Sequence, residues 1–162
     1  FFYRLFFEMS ESEIQYSWQN PNETFMNGRG AWISYTIIVI IFHLALLSIP
    51  FISTPTAWTL TNCLHNLVHY ILFHGVIGSP FITYDQGRSR GLTCWEQIDH
   101  GVYFTKTKKF LYIPSVALFI LASHYSHFDS RHFIVNFCTM CLALVPKLPM
   151  FYRYRLFGLH EY

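Results

Sequence analysis

GAWISYTIIVIIFHLALLSIPFISTPTAWTLTNCLHNLVHYILFHGVIGSPFITY, residues 30–84, runs for 55 positions without one Asp, Glu, Lys or Arg. As helix, at ~1.5 Å per residue, such a stretch reaches roughly 80 Å. A bilayer core takes only about 20 residues, or ~30 Å, per crossing. The stretch is too long for one span and right for two with a turn between. Ser48-Ile49-Pro50 and Ser53-Thr54-Pro55 supply that turn. Proline stops the first helix at Pro50, and Pro55 suits the first position of the next, with Thr54 as its N-cap. Spans are therefore expected at 31–50 and 55–77.

Composition agrees. Of 162 residues, 52% are hydrophobic, 20% aromatic and only 12% charged, about half the ~25% charge of an ordinary soluble domain. A soluble chain this short has too much surface to carry so few charges, which argues against a cytosolic enzyme or a disordered regulator. A net charge of +2 gives no polyanion footprint and no nucleic-acid partner. The partner implied is a lipid bilayer.

Two more uncharged runs follow, 110–128 and 132–146, separated by Asp129-Ser130-Arg131. The second is short, about 22 Å as helix. Extended over 130–149, with Arg131 and Lys147 snorkelling to the interfaces, it becomes a crossing; a re-entrant hairpin is the alternative. The fold class expected is thus all-α, a polytopic membrane protein with four transmembrane helices.

Basic residues in short loops orient such a bundle. The turn at 50–55 has none and the turn at 124–131 has Arg131. Arg29, the 78–109 loop (Arg88, Arg90, Lys106, Lys108, Lys109) and the C-terminal tail (Lys147, Arg153, Arg155) together hold nine. Both termini and the middle loop are expected in the cytosol, which also leaves the sequon Asn22-Glu23-Thr24 without a glycan. Residues 1–8 (FFYRLFFE) precede Met9 and are expected to be a non-native upstream extension. A cytosolic tail at 9–30, a membrane domain at 31–150 and a tail at 151–162 complete the organisation.

Within the middle loop, Thr93-Cys94-Trp95-Glu96 fits a capping box. Leu92, Trp95, Ile98 and Val102 recur near helical spacing while Glu96, Gln97 and His100 face elsewhere, the pattern of a short amphipathic interfacial helix.

Nine histidines and four cysteines raise a metal question. His65 and His69 share a helix face, and His124, His127 and His132 flank the last turn. Membrane oxygenases and hydroxylases that hold iron with histidines use adjacent His-His pairs, and this chain has none. The histidines read better as interfacial or structural groups, with no metal and no cofactor, and the iron enzyme stands as the alternative. Cys138-x2-Cys141 lies in an apolar run and reads as small buried hydrophobes. Gly75-Val76-Ile77-Gly78-Ser79 is not a nucleophile elbow. No catalytic residues emerge. Asn62, Asn66 and His69 line one face of the second span, and Asn136 plays the same part on the fourth. Amides avoid lipid, so they hold helices together or face a partner helix.

The run Asn20-Pro21-Asn22, Met26-Asn27-Gly28-Arg29-Gly30-Ala31-Trp32, Leu47-Ser48-Ile49-Pro50-Phe51, Trp58-Thr59-Leu60-Thr61-Asn62, Asp85-Gln86-Gly87-Arg88, Trp95-Glu96-Gln97, Lys108-Lys109-Phe110-Leu111 and Pro146-Lys147-Leu148-Pro149 resembles the ORMDL family of endoplasmic-reticulum membrane proteins. The resemblance spans about 20–162. It implies a non-catalytic subunit that binds serine palmitoyltransferase and restrains sphingolipid synthesis when ceramide is abundant. It also implies that Asn22, of the family's N-P-N motif, recognises ceramide. Phe25 and Trp32 are then candidate contacts for ceramide chains, and Asn20, Pro21, Asn62 and Asn66 are candidate partner contacts.

Overall fold

The structure, a computed structural model, describes residues 25–78 and 91–152. Among the described residues it is all-helical apart from one isolated bridge between Ile77 and Thr93. Helix α1 covers Arg29–Leu47 and α2 Thr54–Tyr70, continued by a π-helical turn, Ile71–Gly75. Helix α3 is a four-residue piece, Cys94–Gln97, followed by a 3-10 turn, Ile98–Gly101. Helices α4 (Lys106–Tyr125) and α5 (Ser130–Leu144) follow, then 3-10 turns at Val145–Lys147 and Pro149–Phe151.

Local chemistry sets these boundaries, and it moves several of the expected ones. Helix α1 ends at Leu47, not at Pro50: the Ser48 N–H bonds back to Leu44 O and Ala45 O at 3.0 and 3.3 Å. Pro50 then biases Ile49 away from helical dihedrals. The N-cap of α2 is Ser53 rather than Thr54. Its Oγ accepts from Thr56 N at 3.4 Å and leaves Thr54 and Pro55 inside the first turn, where a missing proline N–H costs nothing. Thr105 caps α4, accepting from Lys108 N at 3.3 Å, so this helix starts four residues before the expected 110 and ends at Tyr125. Asp129 caps α5 through bonds from Arg131 N (3.1 Å) and His132 N (3.3 Å). That helix stops at Leu144, well short of the expected 149.

Helix α2 is the hub, packing against α5, α4 and α1, while α4 also packs on α5. The polarity of the bundle is inverted. The buried face of α2 consists of Ala57, Thr61, Asn62, His65, Asn66 and His69. Ser115 and Ser123 on α4 and Asn136 on α5 face the same interior. Ile37, Ile41, Leu64, Val68, Ile120 and Ile134 point outward. The large buried apolar side chains gather in a small cluster of Phe73, Trp95, Ile98 and Leu111, while Ala57, Leu118, Ala122 and Ala143 are buried apolar residues between the helices. Among the described residues, α1 alone is both long and apolar enough to cross a bilayer by length and composition.

The amphipathic helix expected at 92–102 is replaced by something shorter and deeper. Thr93 and Glu96 do form a capping box, with Thr93 N–H donating to the Glu96 carboxylate at 2.8 Å. Yet Glu96 and Gln97 are buried along with Trp95 and Ile98, whereas Val102 is exposed. The polar groups go inside because they find partners there: Gln97 Nε2 donates to Gly78 O (3.1 Å) and Leu92 O (2.8 Å). Positive φ at Asp99 (51°), His100 (52°) and Gly101 (80°) then turns the chain toward α4. A β-carbon on Gly101 would lie 2.5 Å from the Tyr152 hydroxyl, which would have to move aside, and the positive φ itself favours glycine there.

Candidate functional site

Helical spacing places Asn62 and Asn66 on the inner face of α2, and both are fully buried. Asn62 Nδ2 donates to Asn136 Oδ1 at 2.9 Å, and Asn66 Nδ2 donates to Asn62 Oδ1 at 2.9 Å. Asn136 Nδ2 reaches Thr59 Oγ1 at 3.3 Å, so three amides and a hydroxyl stitch α2 to α5. The same face continues toward α1 and α4. Tyr35 and His65 share a short hydrogen bond, His43 Nδ1 meets Thr61 Oγ1 at 2.8 Å, and His69 Nδ1 meets Ser115 Oγ at 3.4 Å. The bonds of Asn62 and Asn66 run within the chain, so the geometry carries their role as interhelical glue. Asn62→Leu strands the Asn136 and Asn66 amides. It should lower stability in detergent by about 1–2 kcal/mol, read as an earlier thermal transition; an unchanged transition would remove the seam from the stability argument.

Lys147 does not snorkel. It is 1% exposed, and its Nζ donates to Leu111 O at 3.0 Å and meets His69 Nδ1 at 3.3 Å. The ammonium lies 5.5 Å from the Trp95 ring centre and 5.4 Å from that of Tyr112. Lys108, also buried, donates to Val102 O at 2.8 Å and sits 5.3 Å from the Trp95 ring. One indole therefore serves two buried ammonium groups, each held by a carbonyl and by ring faces. Sequence reasoning missed this platform. Its available signal was that both lysines border apolar helices with no acidic residue at helical spacing. Beside it, burial pushes the Cys94 thiol up to about 11, leaving no thiolate nucleophile at neutral pH.

Of the candidate lipid contacts, Trp32 is the better anchored. Its Nε1 donates to Met26 O at 2.9 Å, and its ring stacks on Phe110 with centres 4.7 Å apart and planes 5° from parallel. Trp32 forms one wall of a cleft of about 610 Å³ lined also by Asn27, Arg29, Asp99, Val102 and Lys106. Phe25 is 66% exposed and is not part of that lining. Asn20, Pro21 and Asn22 lie outside the described residues, as does the sequon. Among the described residues no three His, Cys, Asp or Glu side chains converge on a metal-sized site. His65 and His69 are engaged with Tyr35, Asn66, Ser115 and Lys147, an arrangement that lends the iron reading no support. Cys138 is exposed and Cys141 half-buried, so neither is the core hydrophobe their apolar surroundings suggested: both sit toward the outside of α5.

Comparison with known proteins agrees with the resemblance read from the motifs. The sequence pattern of the ORMDL family matches residues 20–155. The chain is 50% identical to ORM1-like protein 2 of Bos taurus over 149 residues, covering 92% of this chain and 97% of that one. It is 48% identical to ORM1-like protein 1 of Homo sapiens over 149 residues, with the same coverage of 92% and 97%. It is 50% identical to ORM1-like protein 3 of Mus musculus over 143 residues, or 88% of this chain and 94% of that one. None of these relatives bears an enzyme's name. With a family pattern matched over most of its length and relatives aligned nearly end to end, the chain belongs to the ORMDL family.

Proposed function

We propose that this protein is a non-catalytic, four-span subunit of the endoplasmic-reticulum membrane that binds serine palmitoyltransferase and inhibits it in response to ceramide. The observation that carries the reading is membership of the ORMDL family across residues 20–155, the region in which the resemblance implies this role. The bundle's inverted polarity supports the membrane part of it. Isoleucine and leucine side chains face out while amides, hydroxyls and two lysines face in. Hydrocarbon favours that distribution and water opposes it. Lengths agree: the continuous helix from Thr54 to Gly75 rises about 33 Å and α4 about 30 Å at ~1.5 Å per residue, against the ~30 Å of a bilayer core. Helix α5 is shorter, and its turns at Val145–Lys147 and Pro149–Phe151 extend it toward the same interface.

Asn20, Pro21 and Asn22 are assigned to the cytosolic regulatory tail, with Asn22 meeting the ceramide head and Phe25 and Trp32 its chains. Asn62 and Asn66 serve the partner indirectly, by holding the shape of the bundle that the enzyme meets. The test is purification of the tagged chain from membranes, with quantification of bound serine palmitoyltransferase and titration of its activity with ceramide. Stoichiometric enzyme and activity that falls with ceramide only when this chain is present are expected. Absence of the enzyme from the purified material would overturn the proposal.

Topology gives an independent check. The count of nine basic residues against one places both termini in the cytosol. A glycosylation tag extended from the turn at Ser53 should therefore be modified and one at the C-terminus should not. A glycosylated C-terminal tag would reverse the orientation.

A further inference from the structure

The cleft beside Trp32 holds two cations that no hydrogen bond or ion pair among the described residues uses. Arg29, at the start of α1, and Lys106, at the start of α4, both line it. Both are exposed, and neither is engaged in any of the described hydrogen bonds that fix their neighbours. Asp99 lines the same cleft and also acts on Lys108, so the lining carries two cations to one carboxylate. The polar lining includes Asn27 and Thr107, where the Thr107 hydroxyl donates to Asn27 Oδ1 at 2.6 Å. The apolar part of the lining is Trp32, stacked on Phe110, and Val102, which is 58% exposed.

A cleft lined by two cations, one carboxylate and an aromatic ring, with positive charge in excess, matches an amphiphile with an anionic head. Its volume of about 610 Å³ falls in the ordinary range of ligand pockets, roughly 300–1,000 Å³. Ceramide does not satisfy it, since the ceramide head is uncharged and leaves both cations solvated. A phosphate does, because a guanidinium and an ammonium bind its oxygens through charge-assisted hydrogen bonds. The phosphate of a membrane lipid is the source that geometry favours. Arg29 and Lys106 stand at the first residues of two helices read as crossings, both at the cytosolic ends, where lipid phosphates lie.

We propose that this cleft binds the phosphate head of an anionic membrane lipid, with Arg29 and Lys106 holding the phosphate and Val102 lining the start of its acyl chains, beside the Trp32 ring assigned above to ceramide. The proposal rests on the membrane reading above but not on serine palmitoyltransferase or ceramide. Anionic lipid at this place ties the first turn of α1 to the first turn of α4, and thereby fixes where the N-terminal tail leaves the bilayer.

Native mass spectrometry of the full chain, purified in mild detergent and titrated with phosphatidic acid or phosphatidylcholine, tests it. One tightly retained phosphatidic acid and no retained phosphatidylcholine are expected. At about 1 kcal/mol per basic residue near a lipid surface, Arg29→Gln and Lys106→Gln should each weaken retention about 5-fold, and together roughly 30-fold. Arg131→Gln, at the other end of the bundle, should leave it unchanged. Equal weakening by Arg131→Gln would mean non-specific charge attraction and overturn the site. Displacement of the lipid by millimolar inorganic phosphate would overturn the lipid as its source. A chain released from membranes by alkaline carbonate would instead refute the membrane reading, a result distinct from loss of the bound lipid.

Discussion

Trp95→Ala should unfold much of the protein. The indole is 3% exposed, and its removal opens a cavity among Phe73, Ile98 and Leu111, a change that costs about 3–5 kcal/mol for a buried aromatic. It also strips the shared ring from two buried ammonium groups, at 5.3 Å for Lys108 and 5.5 Å for Lys147. Neither can recover solvation without leaving the bundle. The edge-to-face contacts with Tyr112 at 5.7 Å and Phe73 at 6.3 Å disappear as well. Trp95→Phe keeps a ring face toward each lysine and should lose far less. The measurement is the fraction of detergent-solubilised protein that stays monodisperse after heating, for wild type, Phe and Ala. An alanine variant as heat-resistant as wild type would show that the platform contributes nothing to stability.

Asn22→Ala should blunt the response to ceramide while leaving the complex assembled. Asn22 stands ten residues before Trp32, close enough to the bilayer to meet a lipid head and to a partner's cytosolic domain to act on it. A ligand shifts an equilibrium only through unequal affinity for the two states. On the function proposed above, ceramide binds the inhibited arrangement of this tail more tightly than the active one. An amide offers the ceramide head both donors and an acceptor. Losing one or two such bonds in a partly dry site is worth roughly 1–3 kcal/mol, which weakens the coupling by about 5- to 150-fold. The readout is the ceramide concentration for half inhibition of serine palmitoyltransferase at equal complex levels. An identical value in the variant would take Asn22 out of the mechanism and leave the chain an assembly role.

Helix existence was legible wherever one local signal dominated. The uncharged run at 30–84 was read as two helices, and apart from Arg29 at its start α1 lies within it, as does α2. The capping box at Thr93 was read from four residues and formed. The amide face of α2 was legible because Asn62 and Asn66 fall one turn apart and hydrocarbon leaves an amide few options. Boundaries were legible less well, since Ser53 and Thr54 are both good caps and only the folded turn decides between them. Lys147 was misread for a different reason. Snorkelling assumes that a lysine near a helix end finds only lipid around it. Here Leu111 O, Trp95 and Tyr112, all remote in sequence, converge on its ammonium. Glu96 and Gln97 went inside for partners of their own, Thr93 N–H, Gly78 O and Leu92 O. The cleft's pairing of Arg29 with Lys106 was equally invisible, because it depends on α1 and α4 starting at one level.

The seam between α2 and α5 also sets a schedule for biosynthesis. Asn62 and its partner Asn136 are 74 residues apart in the chain. At a synthesis rate of about 5–20 residues per second, the second helix waits roughly 4–15 s for the amide that satisfies it. Helix α1, with none of its strongly apolar window buried, is content in lipid from the moment it emerges. Its successor carries the Asn62 amide without the α5 partners of its Nδ2 through that interval. The nascent chain is therefore most exposed to insertion chaperones and to degradation midway through its own translation, and variants that delay α5 should be cleared before they ever meet an enzyme to regulate.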